Sequence, residues 1–172
     1  MKKLTIINWI EILKLTYKIC EKIIDSKFNP DVIVGIHRWG IIPALIISDV
    51  LNNINVKVLY IKEKPCNING LKNKKVLLVD EVCDSGKTFK KAIKILKKMK
   101  TKEIRTACLH LKPRSIFKPN YVGMKMKNNN WIIYPWSIFE SVREKKIDAL
   151  VIKKIGLENV ISKKFYLKII AE

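Results

Sequence analysis

The run Val79-Asp80-Glu81-Val82-Cys83-Asp84-Ser85-Gly86-Lys87-Thr88 gathers three carboxylates, two hydroxyls, a glycine and a lysine directly after the apolar stretch Val76-Leu77-Leu78-Val79. Such a run reads as a strand ending in two acids, then a tight loop, then a helix. Acids at the carboxyl end of a strand suit the hydroxyls of a sugar. A Ser85-Gly86-Lys87-Thr88 turn opening a helix offers backbone N–H groups and a positive dipole end to a phosphate. The chemistry is therefore that of a ligand carrying both a ribose and a phosphate. The P-loop of nucleotide triphosphatases also ends in Gly-Lys-Ser/Thr, but it requires an earlier glycine five positions before the second. That position is Glu81, and two carboxylates there would repel a triphosphate.

The elements that must position these groups are readable from hydrophobic periodicity. Apolar side chains at Ile6, Trp9, Ile10, Leu13, Tyr17, Cys20 and Ile24 recur three and four apart, which predicts an amphipathic helix within residues 5–26, stopped at Asn29-Pro30. A strand is predicted over 31–36, a largely apolar helix over 41–51, a second strand over 57–61, the motif strand over 76–79, a helix over 87–100 and a further strand over 104–110. Apolar strands alternating with helices at this spacing imply an α/β domain, a mainly parallel central sheet flanked by helices. In such sheets ligands sit at the carboxyl ends of the strands. The loops of interest therefore follow Ile36, Ile61, Val79 and His110.

Composition bounds the function classes. A chain of 172 residues with 48% hydrophobic content is long enough for one domain with a proper core and too short for two substantial ones. A single domain over 1–172 is expected, with its core at about 31–140. No stretch approaches the ~18 uninterrupted apolar residues of a membrane span, and the amino terminus soon reaches Asn8, Glu11 and Lys14, so a cytoplasmic protein without membrane partners is expected. Cys20, Cys66, Cys83 and Cys108 are scattered singly, and neither His37 nor His110 lies at metal-ligand spacing from one of them, which indicates neither a zinc site nor a disulfide framework. The formal charge of +20 is spread over almost every helix and loop, without aromatics interleaved among the basic residues. That pattern argues against a dedicated nucleic-acid surface and for a solvated lysine-rich exterior that attracts phosphorylated substrates.

The segment Val76–Thr88 resembles the phosphoribosyl pyrophosphate (PRPP) binding motif of the type I phosphoribosyltransferases: an apolar strand, two acids, two mostly apolar residues, then Asp-Thr/Ser-Gly-x-Thr. The loop Gly35-Ile36-His37-Arg38-Trp39-Gly40-Ile41-Ile42-Pro43-Ala44 resembles the pyrophosphate loop of the same family, with Trp39 in place of the first of two usual glycines. The resemblance implies that Arg38, Trp39 and Gly40 bind pyrophosphate, and that the backbone at His37-Arg38-Trp39 is strained or holds a non-proline cis peptide. The segment Lys62–Gly70 corresponds to a mobile flap, to which Lys62 or Lys64 could lend charge. The stretch Leu109–Arg114, followed by Trp131-Ile132-Ile133-Tyr134-Pro135-Trp136, resembles the purine side of the xanthine-guanine and hypoxanthine-guanine enzymes.

Carried over residue by residue, the resemblance implies a phosphoribosyltransferase fold with a small purine-binding hood. The reaction it implies joins a 6-oxopurine (guanine, hypoxanthine or xanthine) to PRPP and releases pyrophosphate, with Mg²⁺ as cofactor. Asp80 and Glu81 would hold the ribose hydroxyls, directly or through the metal, and Asp84 would be the general base or hydrogen-bond partner at purine N7. Ser85, Gly86, Lys87 and Thr88 would cradle the 5′-phosphate. Lys112 would donate to the purine 6-oxygen, and Trp131, with Ile132 beside it, would stack on the base. Ile133 and Ser137 stand where the bacterial xanthine-guanine enzymes place acids, so the choice of base stays open. The family also implies a homo-oligomer, for which the apolar tail 141–172 could supply an interface. An adenine or other-base enzyme, or a non-catalytic PRPP-sensing, nucleic-acid-binding regulator of the same fold, stays open as an alternative.

Overall fold

Five strands, all parallel, carry the site. They are β2 (Val32–Ile36), β3 (Val56–Leu59), β4 (Lys75–Cys83), β5 (Glu103–Leu111) and β6 (Tyr121–Lys125), in the spatial order β3-β2-β4-β5-β6. The computed structural model describes residues 3–61, 68–144, 151 and 156. Its contacts divide the chain into two compact units, the larger Ile10–Asn129 and the smaller Met1–Trp9 with Asn130–Glu172. No helix among the described residues is long and apolar enough to cross a membrane.

In the larger unit the sequence pattern explains the layering. β2 reads Val-Ile-Val-Gly-Ile and is buried at every position, as a central parallel strand covered on both faces should be. One face meets the helix α3 (Lys87–Lys98): Val32, Val34, Ile36, Val76 and Leu78 form one cluster with Phe89, Ala92 and Leu96. The helix α2 (Ile41–Val50) packs on β2 and β4 through buried Ala44 and Ile47. The parallel α/β architecture expected from the sequence is observed, with strand and helix bounds within a few residues of those predicted.

Two differences concern the ends of elements. β4 does not stop at the acids but continues through Asp80 and Glu81 to Cys83, because Asp80, Val82 and Cys83 still pair with Cys108, His110 and Leu111 of β5. The tight turn is thereby reduced to Asp84–Gly86. The amino-terminal segment is also not one helix. Leu4–Ile6 forms a short strand, β1, and the helix α1 runs from Trp9 to Asp25.

The stripe read as the apolar face of α1 is mostly the solvent face. Ile12, Leu15, Thr16, Ile19, Cys20 and Ile23 are buried, whereas Ile10, Leu13, Tyr17 and Ile24 are exposed. The helix is apolar over more than one face, so periodicity alone admits either stripe. Packing chooses the one that fits β6, where a Cβ on Gly123 would lie 3.0 Å from Leu15 Cβ, and where Lys22 Nζ donates to the Val122 carbonyl at 2.5 Å.

The smaller unit is built on a second, two-stranded parallel sheet in which β1 pairs with β7 (Trp131–Ile133), Leu4 opposite Trp131. It continues into a short helix, α4 (Ile138–Arg143), and its described core joins Ile133 and Val142 with Leu4, Trp131 and Ile138. Of the tail 141–172 that could supply an oligomer interface, Ser141 and Val142 are buried in α4, and residues 145–150, 152–155 and 157–172 lie outside the described residues.

Candidate active site

The acids of β4 sit on a strand that another loop crosses at very short range. A Cβ on Gly40 would fall 2.6 Å from the Val79 carbonyl oxygen and 2.9 Å from Asp80 Cα. Only a glycine lets the loop after β2 lie against the strand at this point. Gly40 itself is buried and donates its N–H to the Ile36 carbonyl at 3.0 Å. The loop reaches this position through a cis peptide between His37 and Arg38. The His37 ring stacks on Tyr60 at 4.2 Å between centroids, and the Arg38 guanidinium lies 5.3 Å from the centre of the Trp39 ring. Arg38 is exposed and Trp39 half-buried.

Asp80 is only 8% exposed, and one of its carboxylate oxygens accepts the Glu81 N–H at 3.0 Å. Burial, with the adjoining Glu81 charge, pushes its carboxyl well above the usual range. A buried acid of this kind, with a second acid beside it at a strand's carboxyl end, is poised for a cation or for hydroxyl donors.

Four residues on from Asp80, Asp84 faces two cations. The β4–β5 ladder continues past its last pair when Lys112 N–H donates to the Cys83 carbonyl at 3.0 Å, which brings the Lys112 ammonium within 3.6 Å of an Asp84 oxygen. Lys112 is almost wholly buried at 4% exposure. Arg114 completes a fork on the same carboxylate: its Nε donates to Oδ1 at 2.5 Å and its Nη2 to Oδ2. Burial would raise the Asp84 carboxyl, but the hydrogen bonds from Arg114 and the Lys112 charge outweigh it and hold the group below its ordinary value.

The turn after Asp84 is shaped by Gly86, whose φ of +79° is left-handed. Here a side chain would also have no room, because a Cβ would lie 2.5 Å from Phe117 Cβ and 2.9 Å from Ser115 Oγ. The same support holds the turn by its backbone, Ile116 N–H donating to the Ser85 carbonyl at 3.2 Å. Beneath it the buried Cys83 Sγ lies 3.1 Å from Ser115 Oγ, and desolvation raises its thiol, as befits a packed side chain and not a nucleophile. Lys87 and Thr88 are exposed at the amino end of α3, where first-turn N–H groups lack intrahelical acceptors.

In the larger unit, Asp80, Glu81, Asp84, Ser85 to Thr88, Lys112 and the Arg38–Gly40 loop thus all lie at the carboxyl end of the parallel sheet. Trp131 and Ile132 belong to the smaller unit. Trp131 is half-buried, its indole N–H donating to Ser141 Oγ at 3.3 Å, and Ile132 is buried. Lys62 and Lys64 lie outside the described residues. Arg114 was given no role by sequence reasoning. Its only signal there is a position two residues after Lys112, and its meeting with Asp84 depends on the strand register.

Comparison with known proteins follows the same lines. The family described as "Phosphoribosyl transferase domain" matches residues 5–140. The hypoxanthine-guanine phosphoribosyltransferase of Bos taurus is 32% identical over 81 residues, 45% of this chain and 37% of that protein. The hypoxanthine-guanine-xanthine phosphoribosyltransferase of Plasmodium falciparum is also 32% identical over 81 residues, 45% of this chain and 35% of that protein. The matches span well under half of the length of these curated relatives. Among solved structures, a purine phosphoribosyltransferase from Pyrococcus horikoshii Ot3 aligns with a TM-score of 0.70 and 37% identity, covering 78% of this chain and 94% of that one. The Helicobacter pylori xanthine-guanine-hypoxanthine phosphoribosyltransferase aligns with a TM-score of 0.71 at 18% identity, over 84% of this chain and 99% of that one, a likeness of fold.

Proposed function

The chain belongs to the phosphoribosyl transferase domain family, and from that premise we propose that it is a cytoplasmic purine salvage enzyme that transfers the 5-phosphoribosyl group of PRPP to a 6-oxopurine. The purine nitrogen attacks the anomeric carbon, the bond from that carbon to the pyrophosphate oxygen breaks, and nucleoside 5′-monophosphate and pyrophosphate result. The observation that carries this reading is the approach of Lys112 to Asp84 at 3.6 Å. A donor for a carbonyl oxygen and an acceptor for a ring proton lie side by side, spaced as the 6-oxygen and N7 edge of one purine requires.

The remaining roles follow from chemistry. Ser85, Gly86, Lys87 and Thr88 hold the 5′-phosphate at the amino end of α3. Arg38, with Trp39 and Gly40, faces the pyrophosphate, to whose oxygens a planar guanidinium is suited. Asp80 and Glu81 grip the ribose hydroxyls, Asp84 takes or shares the purine proton at N7, Lys112 donates to the 6-oxygen, and Trp131 and Ile132 contribute the apolar side of base recognition.

Asp80 and Glu81 also fit Mg²⁺. That ion is usually bound by one or two carboxylates, with substrate oxygens and water completing its octahedron. Among the described residues no group of three His, Cys, Asp or Glu side chains could hold a metal ion by itself. When bound, Mg²⁺ would neutralise charge on the departing pyrophosphate.

The test is nucleotide formation from PRPP with guanine, hypoxanthine, xanthine and adenine, in the parent and in Asp84→Asn. The parent should use the 6-oxopurines. Asp84→Asn should still bind PRPP but turn over ~10²–10⁴-fold more slowly, the usual contribution of a general acid–base group. No product with any of the four bases would overturn the proposal, and unchanged turnover in the variant would remove Asp84 from it.

A further inference from the structure

The connection from β5 to β6 is short for parallel neighbours. It runs from Lys112 to Asn120, nine residues without a helix, whereas a parallel crossover ordinarily takes a dozen or more and is helical. Its middle is occupied in bracing the Ser85–Gly86 turn, and no crossover helix covers β6. A furrow of about 740 Å³ is left in the larger unit, lined by the connection, by β6 and by Lys22 of α1. Of the residues given a role in the reaction, only Lys112 lines it.

The lining of the furrow is cationic and apolar together. Lys22, Lys118 and Lys125 are exposed along it, no carboxylate lines it, and none of the three makes an ion pair among the described residues. Lys22 Nζ donates to the Val122 carbonyl at 2.5 Å, and desolvation, then the charges of Lys18 and Lys125, hold its ammonium below the ordinary value. Like charges brought together in this way are relieved by an anion. Phe117, Val122 and Met126 belong to the same lining, apolar groups for which a bare phosphate has no use.

The arrangement selects among anions. Three ammoniums about one cavity match charge gathered on a chain of phosphates, whereas an acidic peptide spreads its carboxylates one to a residue. A nucleic-acid strand needs a continuing track and open aromatic faces for its bases. Here the Phe117 ring is already stacked on Phe89 at 5.3 Å, and Tyr121 is buried with its hydroxyl held by Arg105. The volume is that of a pocket for a small organic ligand. We infer that the furrow is a second ligand site, which takes a nucleoside di- or triphosphate with its phosphates on Lys22, Lys118 and Lys125 and its base against the apolar lining. The inference rests on the furrow alone and is independent of the reaction proposed for the catalytic site.

Isothermal titration calorimetry at fixed salt, with ATP, GTP, CTP and UTP, with pyrophosphate and with a single-stranded oligonucleotide, tests it. At least one of the four nucleotides should bind the parent. Lys118→Glu with Lys125→Glu should weaken that binding about tenfold or more, and Lys118→Gln with Lys125→Gln by a smaller factor, as the loss of charge-assisted hydrogen bonds requires. Lys94→Glu with Lys98→Glu makes the same change in net charge on exposed residues of α3 that do not line the furrow, and should alter binding by less than about threefold. Should the glutamate pair at the furrow misfold by circular dichroism, the glutamine pair decides. The inference is overturned if none of the four binds, if the furrow pair leaves binding unchanged, or if the α3 pair weakens it equally. It is also overturned by an oligonucleotide bound in preference to the nucleotides, or by pyrophosphate bound as tightly with the same dependence on the furrow lysines. Nucleotide formation from PRPP by the furrow variants, measured alongside, shows whether the catalytic reading holds separately.

Discussion

Arg114 holds both carboxylate oxygens of Asp84, through Nε and Nη2, while Lys112 approaches the same carboxylate from the end of β5. A side chain 54% exposed thus engages the residue proposed to handle the purine proton. Removing it should change the pH dependence of the reaction before it changes anything else. Arg114 favours ionised Asp84, so in Arg114→Ala the carboxyl rises toward its ordinary value, and the acid limb of the kcat/KM profile should move to higher pH. An acid limb in the same place would show that Asp84 titrates without reference to Arg114.

Lys112 should govern the choice of base. An ammonium donates to a 6-oxo group but faces a second donor in the 6-amino group of adenine. Leaving both unsatisfied in a water-poor pocket costs ~1–3 kcal/mol, roughly ten- to a hundredfold in selectivity. We expect guanine or hypoxanthine to exceed adenine in kcat/KM by that factor or more, and Lys112→Ala to compress the ratio. A variant that keeps the parent's ratios would place base selection elsewhere.

Asp80 is held at a cost to the fold. Its carboxyl is pushed up by burial and by Glu81, so the folded state binds the proton more tightly than the unfolded one. Stability from this group is greatest at low pH and declines as pH rises through the raised folded value. Asp80→Asn removes that charge at similar shape. It should raise Tm at neutral pH, each kcal/mol recovered corresponding to about 2–4 °C for a chain of this size, while abolishing PRPP-dependent turnover. A Tm that falls would mean that Asp80 is stabilising without its ligand.

His110 gives the opposite slope. It is fully buried on β5, and desolvation, partly offset by Glu11 and reinforced by Lys112, lowers its pKa from 6.5 to about 4. The unfolded chain takes up this proton first, so the contribution is fully present above about pH 6.5 and is lost as pH falls toward 4. Denaturant unfolding at pH 7 and pH 4.5 should show the parent losing roughly 2–3 kcal/mol more than His110→Gln. Equal losses in both proteins would assign the acid sensitivity to other groups.

Gly40 should tolerate no side chain. The Cβ of Gly40→Ala would meet three backbone atoms within 2.6–2.9 Å, none at the end of a flexible side chain. The loop after β2 must then move away from β4. Overpacking of this kind typically costs ~1–3 kcal/mol, and the KM for PRPP should rise with it. An alanine variant with the parent's stability would show that the loop can be re-seated at no cost.

What the sequence made legible is what is contiguous in it. The acids, the turn and the first turn of α3 lie in ten consecutive positions, and the buried strands announce themselves as apolar runs, so the parallel sheet and the gathering of these residues at its carboxyl end could be read directly. The α1 stripe was misassigned because two apolar faces share one helix, and tertiary contacts with β6, among them the close approach of Leu15 to Gly123 and the Lys22–Val122 hydrogen bond, decide between them. The β1–β7 pair escaped notice because three-residue strands far apart in the chain carry no local signal. Arg114 escaped because its partner lies thirty residues away and is brought to it by the β4–β5 register.

The short segment between β5 and β6 supports more than one task. Lys112 and Arg114 at its start reach Asp84, and a few residues later Ser115, Ile116 and Phe117 brace the backbone of Ser85 and Gly86. Among the described residues this one segment makes both sets of contacts. An engineer who alters this segment to change the surroundings of Asp84 therefore also disturbs the Ser85–Gly86 turn proposed to seat the sugar phosphate, and the same trade constrains natural drift along this stretch of chain.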